Sequence, residues 1–136
     1  MNPEYDNAYF RAVPPTNGWP RSFGIITACN PDGRTLTDEE NDQATKKLRF
    51  ELEHANLEHF HVTGGSKDFS HAEQGFGIVF PNQEESIAWG QRYRQDAIFW
   101  IDVDTLYLVS CKCTQIKVLG SWQSRLSQLN DRPLTV

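Results

Sequence analysis

Apolar positions along this chain alternate between two rhythms. Phe23–Asn30 (FGIITACN) is a run of small and apolar residues with no charge before Asp32, which predicts a strand buried on both faces. Leu57–Thr63 (LEHFHVT) instead alternates, with Phe60 and Val62 inward and His59 and His61 on the opposite side. Gln74–Phe80, Ala97–Ile101 and Leu106–Ser110 read as further strands, the last two joined by a hairpin turn. Gly75 and Gly77 mark a bulge or a close approach within their strand. Tyr9–Val13 is a short strand stopped by Pro14 and Pro15, and 113–119 adds another.

Between the strands the period lengthens. Ala44, Leu48, Leu52 and Ala55 share one helical face, after a capping box of Thr37 and Glu40 and before a stop at Asn56. A second helix opens at Asn82 with Glu85 three residues on. Ile87, Ala88, Gln91 and Arg94 are expected to share one face, with Trp89 and Tyr93 as an aromatic pair. The order β-β-α-β-β-α-β-β predicts an α+β single domain over 1–136. The expected sheet is mixed or mainly antiparallel, of about five to six strands, with two main helices packed on it. The core is expected over about 8–119, with 1–7 and 120–136 peripheral.

Composition narrows the function classes. Hydrophobic residues make up 38% and aromatics 12% of 136 residues, enough for a core without staples. The net charge of −5 counts against a phosphate-backbone partner, so no nucleic acid is expected. Cys29, Cys111 and Cys113 are an odd set, poor material for a disulfide framework. MNPEYDNAYF lacks a basic region followed by an apolar run, so no signal peptide is expected there, and no apolar run is long enough for a membrane span. A soluble, cytoplasmic protein with reduced thiols is the expectation.

The chemistry concentrates in Gly64–Phe80 (GGSKDFSHAEQGFGIVF), where His71 and Glu73 precede a strand. In extended chain the two point to one side, as a general acid or base with an orienting carboxylate would. Asn30, Arg34, Glu40 and Asn41 surround a turn and a capped helix start, a geometry that receives anions. Each set also has a plain structural reading as turn, cap and loop support. His59 and His61 could join His71 and Glu73 around a metal, and Cys111 and Cys113 share a strand face. Neither set has the spacing of an established site, so no metal and no cofactor is expected. Gln95, with Trp89, Tyr93, Phe99 and Trp100, offers a surface for a flat ligand or two-sided core packing.

Three stretches in order, FGIITACNPDGRTLTDEEN (23–41), HAEQGFGI (71–78) and RQDAIFWI (94–101), resemble the bacterial family known as domain of unknown function 3293. The resemblance covers about residues 5–110 and implies a small single-domain protein without supplying an activity. It draws attention to Asn30, Gly33, Glu40, Asn41, His71, Glu73, Gln95, Ala97 and Phe99. The leading expectation is a binding or regulatory domain. Its polar pocket, for a small polar or anionic ligand, is formed by the loop before the first helix and the His71–Glu73 segment. One alternative is a hydrolase or nuclease using His71 and Glu73 as acid, base or metal ligands. Another is a protein-interaction module or homodimer, with contacts along the 97–110 hairpin and the tail.

Overall fold

The computed structural model describes residues 3–127, and its strands all pair antiparallel. They are β1 (Tyr9–Arg11), β2 (Ser22–Thr27), β3 (His59–Gly65), β4 (Ala72–Ile78), β5 (Ala97–Asp102), β6 (Thr105–Ser110) and β7 (Ile116–Ser121), with α1 (Asp38–His54) and α2 (Gln83–Arg92) between them. The sheet order is β1-β3-β4-β2-β5-β6-β7. The α+β prediction holds. The strand count is seven rather than five to six, because the short segments at Tyr9–Arg11 and Ile116–Ser121 both pair, at the two edges of the sheet.

The helix ends follow local chemistry. Thr37 accepts from the Glu40 amide at 3.1 Å, and the Glu40 carboxylate returns the bond to the Thr37 amide at 3.0 Å. Asn56 takes a left-handed φ of 55°, the Leu57 amide reaches the Leu52 carbonyl and the Asn56 amide reaches Glu53, a Schellman stop. In α2 the Asn82 side chain accepts from the Glu85 amide at 2.9 Å.

The buried faces differ in part from the apolar spacing. In α1, Leu48 and Leu52 are buried as expected, with Thr45 beside them, while Ala55 is exposed. In α2 the buried residues are Ser86, Trp89 and Gly90, and Ala88 and Gln91 face solvent. The cause is a close approach: a Cβ on Gly90 would lie 2.6 Å from Ile98 and 2.7 Å from the Cys111 sulfur. Small residues set that contact, and hydropathy does not report them. Trp89 and Tyr93 do stack as an i,i+4 pair.

Two cores flank the sheet. Leu48, Leu52 and Trp89 from the helices pack on Ile26, Phe76, Ile78, Ile98 and Trp100. The other face gathers Phe10, Phe23, Ile25, Val62, Ile101, Leu106 and Trp122. Phe99 and Trp100 thus point to opposite, covered faces. In a flat sheet β1 and β5 would stand about 19 Å apart. The rings of Phe10 and Phe99 are 5.0 Å apart, so the sheet curls. After β7 the chain returns to β1: Leu126 bridges Phe10, and the Ser127 amide donates to the Phe10 carbonyl at 2.7 Å.

Both ends of the described chain pack against this curl. Tyr5, in a 3-10 turn over Pro3–Asn7, meets Phe99 edge-on, and Asp6 pairs with Lys117 at 2.7 Å. Trp122 is 1% exposed, so the peripheral tail expected from 120 is corrected for 120–127. Positions 128–136 lie outside the described residues. No helix among the described residues is long and apolar enough to cross a membrane.

Candidate functional site

Chain direction brings the end of β2, the start of α1 and the start of β4 to one end of the sheet. Asn30 sits there in a left-handed conformation, φ 49° and ψ 57°, which Asn tolerates. Its side-chain carbonyl accepts from the Leu36 amide at 2.9 Å and from the Asn41 amide group at 3.0 Å. Its side-chain NH2 donates to a Glu73 oxygen at 2.9 Å, and its backbone N–H donates to the Asn41 carbonyl oxygen at 3.0 Å. Three of the residues singled out in the sequence, Asn30, Asn41 and Glu73, therefore converge.

The others serve nearby or apart. Gln95 is buried and donates to the carbonyls of Cys29 and Tyr93, both at 3.1 Å. Glu40 is spent on its cap: the Thr37 N–H holds its carboxylate below the ordinary range. Arg34 is exposed beside that cap. His71 closes the loop between β3 and β4, where its backbone N–H and C=O bond to Ser66. Its ring is exposed and makes no hydrogen bond or ion pair with the described residues, Glu73 included. Among the described residues no three His, Cys, Asp or Glu side chains are grouped to hold a metal, so His59, His61, His71 and Glu73 do not form one centre. His59 and His61 instead flank the Phe76 ring.

Tyr5 joins this end of the molecule from the N-terminal turn, unannounced by the sequence pattern. Burial raises the pKa of its hydroxyl, and the carboxylates of Asp96 and Glu73 raise it further. Asp96 pairs with Lys112 at 2.8 Å, and Asp32 pairs with Arg94.

A second region lies along β7. The Ser110 amide donates to the Gln115 carbonyl at 3.0 Å, and Val109, Leu108 and Tyr107 stand opposite Ile116, Lys117 and Val118. Antiparallel alternation then turns the Lys117 N–H and C=O toward β6 and those of Ile116 and Val118 outward. The side chains of these two residues lie beyond the cover of α2 and are 52% and 63% exposed. Beside them, a cleft of about 360 Å³ is lined by Ile87, Gln91, Val109, Lys112, Cys113 and Ile116. Cys113 is exposed there, and a hydrogen bond to the Ser110 hydroxyl lowers its thiol pKa. Cys111 is buried, and burial pushes its thiol up to about 11. Another cleft, of about 390 Å³, lies between the Pro15–Pro20 loop, Glu58 and Val79. Neither cleft contains a residue of the Asn30 cluster.

A curled antiparallel sheet with two helices on one face places the chain in the α+β class. The chain belongs to the family described as "Protein of unknown function (DUF3293)", whose profile matches residues 26–98. That span takes in Asn30, Asn41, Glu73, Gln95 and both helices, and ends before β6. No curated protein and no solved structure matches the chain.

Proposed function

We propose that this chain is a binding domain that recruits an extended partner along β7, with the Asn30 cluster as the clasp that holds the scaffold. The observation that carries this reading is the pair Ile116 and Val118, whose apolar side chains are more than half exposed and whose backbone groups face outward at a sheet edge, unpaired among the described residues. An edge of this kind can add a strand, and Lys117 and the irregularity just past Val118 narrow it to these two residues without covering them. The opposite edge is blunted here, since Leu126 and Ser127 cover Phe10 of β1. Three free thiols, two of them buried, fit a reducing, cytoplasmic setting for this role.

The clasp reading of Asn30 rests on the internal bonds that its side chain makes. Its side-chain carbonyl already accepts from Leu36 and Asn41, and one of its two side-chain N–H groups is given to Glu73. A hydrolase or nuclease at this end needs His71 and Glu73 to act on one group, and no bond joins them. A second reading keeps the small polar or anionic ligand at this end. It is favoured by the Asp96 and Glu73 carboxylates that act on the half-buried Tyr5 hydroxyl, with Arg34 and His71 exposed.

A peptide-display selection against the full chain separates the two, with Val118→Asp and Arg34→Ala/His71→Ala as counter-screens. The β7 reading expects binders that weaken about ten-fold or more on Val118→Asp, the scale of one lost interface contact, and hold on the double variant. Binders that weaken only on Arg34→Ala/His71→Ala would move the site to the polar end.

A further inference from the structure

We infer that the partner of β7 is a short strand with alternating apolar and acidic residues, not a second copy of this chain; the inference rests on the β7 reading above. Three features of β7 define that chemistry. The first is length. Gly120 has φ 128° and the register slips between Leu106 and Tyr107, so an irregularity interrupts the strand just past Val118. The Leu119 carbonyl is also occupied, by the Arg125 guanidinium at 2.9 Å. The open edge therefore offers the backbone groups of Ile116 and Val118, enough for a partner strand of about five residues.

The second is the apolar side. Ile116 and Val118 project on the helix side of the sheet, level with Val109 and Tyr107, and Ile116 also lines the cleft beside α2. Every other residue of an added strand would lie over these side chains, with one reaching the cleft. Strand addition of this type takes affinity from main-chain bonds and selectivity from such pockets.

The third is charge. From Val109 to Ser121 the chain carries Lys112 and Lys117 and no carboxylate, although the whole protein has a net charge of −5. Lys117 projects on the other side of β7 from Ile116 and Val118, and it is 49% exposed in its pair with Asp6. Lys112 is 64% exposed in its pair with Asp96 at the cleft. Exposed pairs of this kind hold their partners weakly and leave donors free. The intervening residues of an added strand would face Lys117, and acidic ones would be matched to it. A second copy is disfavoured by the same residue. The one two-fold register that uses both Ile116 and Val118 sets Lys117 directly against its own symmetry mate, and like charges opposite each other destabilise a pair.

The test uses the full chain and two capped peptides, Val-Glu-Val-Glu-Val and Val-Lys-Val-Lys-Val. Backbone amide spectra and hydrogen exchange are read at Ile116 and Val118. The acidic peptide is expected to slow exchange at both amides and to bind about ten-fold tighter than the basic one. Lys117→Gln is expected to narrow that preference to about three-fold or less. Equal protection by both peptides would overturn the acidic chemistry while leaving β7 as the docking edge. A mass that doubles with concentration and is tightened by Lys117→Gln would overturn it in favour of a second copy. Protection by neither peptide, with displayed binders mapping away from Val118, would overturn the edge itself.

Discussion

At the scale of single residues, Asn30 does two jobs that substitutions separate. It occupies a left-handed φ and it bonds three partners. Asn30→Gly keeps the backbone and loses the bonds; Asn30→Ala loses both. Urea melts should show Asn30→Ala costing about 2–3 kcal/mol and Asn30→Gly about 1 kcal/mol less. Equal losses would mean that the φ angle carries no strain. The thiols give a second residue-scale prediction. A disulfide reagent should meet one fast thiol in the native protein, Cys113, whose pKa is lowered by Ser110. Cys111, pushed up to about 11 and buried, should react only on unfolding. Cys113→Ser should abolish the fast phase, and its persistence would contradict the assignment. Much at this scale was legible in the sequence. The Thr37–Glu40 and Asn82–Glu85 caps span three residues and depend on nothing remote. The bond from Asn30 to Glu73 spans 43 positions and needs β2 beside β4, which no local pattern reports.

At the scale of elements, two opposing terms decide the packing of α2. Alanine is favoured over glycine inside a helix by about 1 kcal/mol. At Gly90 the added methyl would lie 2.6 Å from Ile98 and 2.7 Å from Cys111, both buried. Overpacking costs about 1–3 kcal/mol, so Gly90→Ala should lower the melting temperature despite its better propensity. A rise would show that α2 can lift off the sheet at little cost. The α1 cap has a pH signature. Glu40 is held below its usual range by the Thr37 N–H, so its folded-state value lies under its unfolded one. Its contribution is present above the unfolded value and is lost as pH falls through the folded one. The stability gap between the parent and Glu40→Gln should therefore be full at neutral pH and close in acid. Thr37→Ala should cost about 1 kcal/mol at neutral pH. The apolar stripe of α1 revealed its buried face because Leu48 and Leu52 make it; the contact of α2 is made by Ser86 and Gly90, which carry no hydropathy signal.

At the scale of the molecule, the curl is closed by residues that read as polar tail. Trp122 is packed with Phe10, Phe23 and Trp19, and its indole N–H finds no acceptor among the described residues. It works by filling volume. Trp122→Ala should cost about 3–5 kcal/mol in chemical denaturation, and Trp122→Phe distinctly less. A mild Trp122→Ala would return the segment to the periphery. The candidate site was legible only in pieces. Turn and helix-start signals marked Asn30 and Asn41 and the neighbouring His71 marked Glu73, but their convergence needs β2 beside β4, and His71 belongs to the closing loop of a hairpin. The β7 edge left little trace, because Ile116 and Val118 gain meaning only when the sheet order leaves them without a neighbour.

The most direct test of the account is amide chemical-shift mapping of the full chain while a displayed or synthetic binder is titrated in. Ile116, Val118 and the cleft residues Cys113 and Gln91 are expected to move first and furthest, with Asn30, Glu73 and His71 still. Shifts centred on Asn30, Glu73 and His71, with β7 unmoved, would contradict it and return the binding site to the polar end of the sheet.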